Sequence, residues 1–213
     1  MAGAPRSEGR VNQKRRTRRA ILTAAVELLD QGQRPTVAEV ADAALVSRAT
    51  AYRYFPTQEY LLSEAALNSV PEEVDAILEG ATSSDAAEIR LDSVVQAIQE
   101  RTVRQEPGFR TLLRLSLEQP FQEGAELSRR GGRRIDWIQR ALAPVSDRLN
   151  EQMKERLVGA LSLCMGIEAL VVMRDVCGYT PQQAVEISRW AAQSILRAGL
   201  IQTSNRDEVD GDL

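Results

Sequence analysis

The sequence predicts an all-α fold. Three observations carry that expectation: apolar residues recur at helical three- and four-residue spacing, prolines and glycines punctuate them at intervals that suit helices, and no convincing run of alternating β-branched residues interrupts the pattern. The chain has 213 residues, 43% of them hydrophobic, enough to bury a full core in one or two domains.

The first twenty residues hold Arg6, Arg10, Lys14, Arg15, Arg16, Arg18 and Arg19 against a single acid, Glu8. Residues 1–16 are read as a flexible basic arm able to neutralise phosphates or reach into a minor groove. From Thr17 a helix follows, with Ile21, Ala24, Ala25, Leu28 and Leu29 on one stripe and Gly32 near its end as a C-cap. Thr36 with Glu39 three residues on forms a capping-box pattern that opens a short helix. Its Val37, Val40, Ala41 and Ala44 face inward while Glu39 and Asp42 face out. Ser47 is a good N-cap for the next helix, and Pro56 stops it.

Two helices joined by a turn of about three or four residues form a helix-turn-helix, whose second helix enters the DNA major groove by its N-terminal end. Ala51 and Phe55 pack inward, which leaves Arg48, Thr50, Arg53 and parts of Tyr52 and Tyr54 outside. That is a surface of guanidinium, hydroxyl and phenol groups suited to base edges and phosphate oxygens. Charge supports the reading: residues 1–60 hold ten Lys/Arg and six Asp/Glu, net +4, whereas the remainder holds seventeen and twenty-four, net −7. A basic head on an acidic body favours nucleic acid at one end.

From Thr17 to about Leu62 the stretch TRRAILTAAVELLDQG, followed by TVAEVADAALVSRATAYRYFPTQEYLL, resembles the DNA-binding domain of the tetracycline-repressor (TetR) family of transcriptional regulators. The resemblance implies a three-helix helix-turn-helix DNA-binding domain at 17–62 and a helical effector-binding and dimerisation domain at 63–201. It puts Thr36 at a phosphate, brings Arg48, Ala49 and Tyr52 to bases, and anchors Thr50 and Tyr54 on the backbone; Ser47, Arg53, Arg15, Arg16 and Arg18 complete the expected DNA-binding set. Two positions depart from the family pattern. Leu45 stands where a turn glycine is usual, so the turn is expected to manage without easy access to positive φ. Gln58 stands where a lysine commonly meets phosphate, so the DNA is expected to find one cation fewer there.

Beyond Pro56 the helical pattern continues. Gln58 to Ser69 forms a connecting helix up to Pro71, and Glu72 to about Leu78 a polar one ending at Gly80 and a turn at 82–84. A long helix then carries Ile89, Val94, Val95, Ile98 and Val103. Pro107 and Gly108 restart the chain, and Pro120 and Gly124 mark another break. RRGGRR, Arg129 to Arg134, reads as a mobile helix connection rather than an anion site. Ile135 to Leu142 forms a helix stopped at Pro144, and Arg148 to Val176 is predicted as the longest and most apolar helix. Thr180 caps the last one, with Pro181 at its first position. The acidic tail, 202–213, is expected to be disordered.

Other function classes find little support. The chain has no histidine and only two cysteines, Cys164 and Cys177, which argues against a zinc site and removes the commonest general base; no glycine-rich phosphate loop appears. No catalytic residue, metal or cofactor is assigned, and the chain is not read as an enzyme. Both cysteines are expected to be buried and inert. No stretch has the length and purity of a membrane span and the N-terminus lacks a signal's apolar core, so the expectation is a cytoplasmic protein with no membrane partner.

The expected partners are a double-stranded, palindromic DNA operator, a second copy of the chain and an unidentified small-molecule effector that releases a repressor from DNA. Phe109, Leu112, Leu113, Trp137, Met165 and Met173 are read as an effector pocket, with Glu168 as its polar partner. Gly159, Ser162, Gly166, Trp190 and Ser194 are read as a homodimer interface on the last two helices. The alternative is a helical ligand-binding dimer whose DNA affinity has been weakened or lost through Leu45 and Gln58.

Overall fold

The computed structural model describes residues 5–81, 86–118 and 129–210, with backbone alone at 5–11, 129–132 and 204–210. Among the described residues every regular element is helical. The chain separates into two compact units, Met1–Ser69 with Gln105–Gln119, and Val70–Arg104 with Pro120–Leu213.

The first unit opens with α1 (Pro5–Asp30), followed by α2 (Val37–Ala43), α3 (Arg48–Tyr54) and α4 (Gln58–Ser69). Residues 5–16, expected as a separate flexible arm, are the first part of α1. Ile21, Leu22, Ala24 and Ala25 of α1, Val37, Val40 and Ala41 of α2, Ala51, Phe55, and Leu61 and Ala65 of α4 form one buried cluster. Helical spacing predicts most of this set, but Leu22 lies off the predicted stripe, and the predicted Leu28, Leu29 and Ala44 pack against the cluster only half-buried. The sequence-distant α7 (Glu106–Glu118) packs on α4. Their backbones approach closely, because a Cβ on Gly108 would lie 2.9 Å from Ala66 Cβ and 3.0 Å from the Leu62 carbonyl oxygen. Gln105 Nε2 donates to Asp30 Oδ1 at 3.3 Å, tying the start of α7 to the end of α1.

The turn between α2 and α3 departs from expectation. Leu45 adopts φ +54°, so the turn takes a left-handed residue although no glycine is there. The turn closes through Ala44 N–H to Val40 O, Leu45 N–H to Asp42 O and Val46 N–H to Ala41 O. The Leu45 side chain is 92% exposed and recovers little by packing. A Cβ in this conformation costs about 1–2 kcal/mol. Leu45→Gly should therefore stabilise the first unit by about 1 kcal/mol, read as a raised denaturation midpoint; an unchanged or lower midpoint would show that the turn is not strained.

The second unit contains α5 (Pro71–Gly80), α6 (Ala87–Arg104), α8 (Arg129–Leu142), a 3₁₀ segment (Ala143–Arg148), α9 (Glu151–Ser162), α10 (Ile167–Val171), a π-type turn (Val172–Val176) and α11 (Pro181–Asp210). Helix α6 lies at its centre, packed by α5, α8, α10 and α11. Its Gln99 is buried and satisfied at both ends, accepting from Gly166 N at 2.7 Å and donating to Ser188 Oγ at 2.8 Å. Asp92 receives Arg189 through Nε at 2.9 Å and Nη2 at 2.5 Å.

Several expectations change here. The predicted continuous helix from Arg148 to Val176 is broken at residues 163–166, and the flanking segments bend by 48°. Gly166 at φ +89° makes the break, and a Cβ there would run into the Arg134 guanidinium. The longest helix is instead α11, which continues to Asp210 through most of the tail expected to be disordered. The RRGGRR segment, expected as a connection, is the first part of α8. The turn at 82–84, the break at Pro120 and Gly124, and residues 1–4 and 211–213 lie outside the described residues. Cys164 is half-buried, with burial pushing its thiol pKa up, whereas Cys177 is exposed and not in a core. Among the described residues, no single helix is long and apolar enough to cross a membrane.

Candidate nucleic-acid interface

Local chemistry builds the two short helices. The Thr36 hydroxyl accepts from Glu39 N–H at 3.3 Å, while Thr36 N–H and its hydroxyl both donate to Glu39 Oε2, at 2.7 and 2.8 Å. The predicted capping box is therefore complete. The backbone hydrogen bond from Thr36 is the main cause that holds the Glu39 carboxyl below its usual pKa. Ser47 caps α3 by accepting from Thr50 N–H at 3.2 Å, and its own hydroxyl donates to Thr50 Oγ1 at 2.8 Å. Ala51 and Phe55 are fully buried as expected, so the opposite face of α3 is set outward.

On that face Arg48, Ala49, Tyr52 and Arg53 are exposed, and Thr50 and Tyr54 are half-buried. The Arg53 guanidinium carbon lies 5.6 Å from the Tyr54 ring centre, a cation–π contact on the helix surface. Arg48 does not stand alone. Its Nη2 donates to Asp42 Oδ2 at 2.8 Å and its Nε to Asp42 Oδ1 at 3.4 Å, across the turn. The Arg48 hydrogen bond, foremost, holds the Asp42 carboxyl below its usual pKa range. Glu39, through its capping hydrogen bonds, thus supports the folded head at pH values above the ordinary carboxylate range, and that support fades as pH falls through its lowered value.

The basic residues of α1 divide. Arg15 and Arg16 are exposed, but Arg18 turns toward the core: it pairs with Glu64, and its guanidinium carbon lies 5.5 Å from the Phe55 ring centre. Expected at the DNA surface, Arg18 instead joins α1 to α3 and α4. Gln58 also has an internal task, donating from Nε2 to the carbonyls of Arg34 and Pro35 at 3.2 and 3.1 Å and holding the loop before α2.

The expected effector residues fall in two units. Phe109, buried, and Leu112 and Leu113, half-buried, belong to α7 in the first. Trp137, Met165, Glu168 and Met173 belong to the second. Trp137 is buried, with its ring N–H donating to Asp75 Oδ1 at 3.1 Å, and Met165 is buried. Glu168, expected in apolar surroundings, is exposed and paired with Arg134 at 2.9 Å, because the chain breaks at Gly166 and turns it outward. A groove of about 410 Å³ does exist in the second unit, but other residues line it, among them Glu100, Arg104, Val185, Glu186 and Arg189.

Of the expected interface residues, Gly159, Trp190 and Ser194 are exposed. Ser162 is half-buried, its hydroxyl donating to Val158 O at 2.7 Å, and Gly166 is buried beneath Arg134. The stripe read through Gly159, Ser162 and Gly166 is therefore not one continuous helix face. Asp42 is the site residue that sequence reasoning missed. It read only as an outward acid, since the turn path that brings it to Arg48 depends on the Leu45 conformation.

A capped helix-turn-helix with an exposed, cationic second helix has the form of a DNA-binding head. Residues 21–65 match the family model of bacterial regulatory proteins, tetR family. That stretch is similar to the DNA-binding domain of tetR-family regulators. Solved structures share the fold. A TetR transcriptional regulator from Rhodococcus sp. RHA1 aligns at 18% identity over 85% of this chain and 97% of its own, with TM-score 0.57. A tetR-family transcriptional regulator from Streptomyces coelicolor aligns at 19% identity over 93% of this chain and 86% of its own, with TM-score 0.54. No curated protein matches the chain.

Proposed function

We propose that this protein is a homodimeric repressor that occupies a pseudo-palindromic operator through one α3 per subunit and leaves it when a small molecule binds the second unit. The observation that carries the reading is the uncovered N-terminal end of α3, with Arg48, Ala49 and Tyr52 exposed together. Arg48 reads a guanine through its two acceptors, Ala49 and Tyr52 approach neighbouring bases, and Arg53 serves bases or phosphate. The phosphate contacts are assigned to Thr36, Ser47, Thr50, Tyr54, Arg15 and Arg16. Neither departure from the family pattern disturbs α3: Leu45 supplies the turn's positive φ, and Gln58 braces a loop.

The second copy is assigned to the face of α11 that bears Trp190 and Ser194. The effector's seat is assigned to the groove lined by Glu100, Arg104, Val185, Glu186 and Arg189, whose volume lies within the range of about 300–1,000 Å³ for small-ligand sites and whose charges are of both signs.

The test compares operator-binding matrices. Arg48→Ala should weaken binding by about 5- to 150-fold per half-site and remove preference at one base position. Arg15→Ala with Arg16→Ala should weaken all sequences together and reduce the salt slope by about 0.9 for each phosphate no longer neutralised. A uniform loss from Arg48→Ala, with altered base preference from the arginine pair, would reverse the assignment.

A further inference from the structure

The Arg48–Asp42 pair uses only one edge of the guanidinium. Asp42 takes Nε and Nη2, the side edge, at 3.4 and 2.8 Å. Arginine carries five N–H donors in a rigid plane, so the outer edge, made by Nη1 and the second hydrogen of Nη2, points away from the carboxylate. That outer edge has the two parallel donors that match O6 and N7 of guanine. The pair bridges the last turn of α2 and the first residue of α3, so it fixes the long side chain relative to both helices.

Its surroundings argue that the pairing serves recognition rather than folding. The two side chains are 66% and 59% exposed, and exposed ion pairs contribute little to stability. The N-caps of α2 and α3 are made by Thr36, Glu39 and Ser47, and the Asp42 carboxylate takes no part in them. A carboxylate on a DNA-facing surface also repels phosphate, so in non-specific binding it is a liability. A negative charge held there is accounted for if it orders the cation beside it before DNA arrives, removing part of the rotamer entropy otherwise lost on binding.

We propose that Asp42 is a positioning residue for base reading, holding the Arg48 guanidinium by its side edge so that its outer edge meets a guanine. The proposal rests on the reading of Arg48 as the base-contacting residue. Its test uses the full-length protein and measures base preference and non-specific duplex affinity for Asp42→Ala, Asp42→Asn, Arg48→Ala and the double variant Asp42→Ala with Arg48→Ala.

Asp42→Ala should lower the preference for guanine at the Arg48 position by about tenfold, within the range of one bidentate contact. Affinity for non-specific duplex should be unchanged or higher, because a negative charge has left the surface. Asp42→Asn, which keeps one acceptor oxygen, should retain part of the preference. In the Arg48→Ala background the removal of Asp42 should alter base preference no further. A general folding defect would instead lower specific and non-specific binding together, which Asp42→Asn checks independently. If Asp42→Ala leaves the preference intact or sharpens it while Arg48→Ala abolishes it, the positioning role is overturned and the Arg48 reading survives. If Arg48→Ala itself leaves the preference intact, the base-reading assignment fails and the proposal falls with it.

Discussion

Replacing Phe55 by alanine should cost the DNA-binding head about 3–5 kcal/mol, since truncating a buried aromatic both forfeits transfer energy and leaves a cavity. Phe55 is fully buried at the C-terminal end of α3, within the cluster formed by α1, α2 and α4. It also meets two partly exposed groups. Arg18 of α1 lies over its ring, and the Tyr60 ring centre is 5.8 Å away at a 39° tilt. One side chain therefore joins α3 to α1 and to α4. A whole domain commonly has only about 5–15 kcal/mol of net stability, so this loss is a large part of what a small head holds. Denaturant unfolding followed separately in the two units should show the first transition at much lower denaturant, with operator binding disappearing alongside it. Phe55→Leu, which keeps most of the apolar volume, should lose less. Equal stability for parent and Phe55→Ala would show that the head is not built around this ring.

The parts of this molecule that were legible in the sequence are those whose causes are local. Thr36 with Glu39, and Ser47 with Thr50, lie within one turn of each other, so residue type and spacing suffice to predict the caps of α2 and α3. The buried face of the head follows in the same way from three- and four-residue spacing. The failures have distant causes. The run from Arg148 to Val176 reads as a single helix because its apolar content hides the break. Gly166 leaves the helix where its N–H meets Gln99, 67 residues away in the chain, and where Arg134 occupies the space a side chain would need. The same break sends Glu168 to Arg134 rather than into an apolar pocket. Arg18 looked like one more member of a basic run, since the sequence does not display Glu64 beside it. Leu45 failed differently: its type argued against positive φ, and the helices that the turn joins impose that conformation at a cost.

Changing Trp190 to glutamate should convert the proposed dimer into a monomer. Trp190 is 71% exposed on α11, with Ser194 and Ile201 also exposed four and eleven residues further on, along the same helix face. Helix α9 packs on α11 within the second unit, and it too exposes Gly159 and, at its C-cap, Leu163. A tryptophan left in water on this helix matches the aromatic anchors on which protein interfaces concentrate their energy, commonly at least about 2 kcal/mol each. The two-fold axis of a dimer brings each anchor against the same patch of the other copy, so one substitution acts twice. Beyond removing the aromatic anchor, glutamate would place a desolvated carboxylate without a partner in the interface, which is more costly than truncation alone. Light scattering should give a dimer mass for the parent at micromolar concentration and a monomer mass for Trp190→Glu, while Trp190→Phe should remain largely dimeric. Operator affinity should fall toward that of a single half-site, because two heads no longer bind as one particle. The base preference within each half-site should persist, since α3 lies in the other unit and retains its own caps and core. A parent protein that is monomeric at micromolar concentration, or a Trp190→Glu variant that stays dimeric, would rule out this face as the interface.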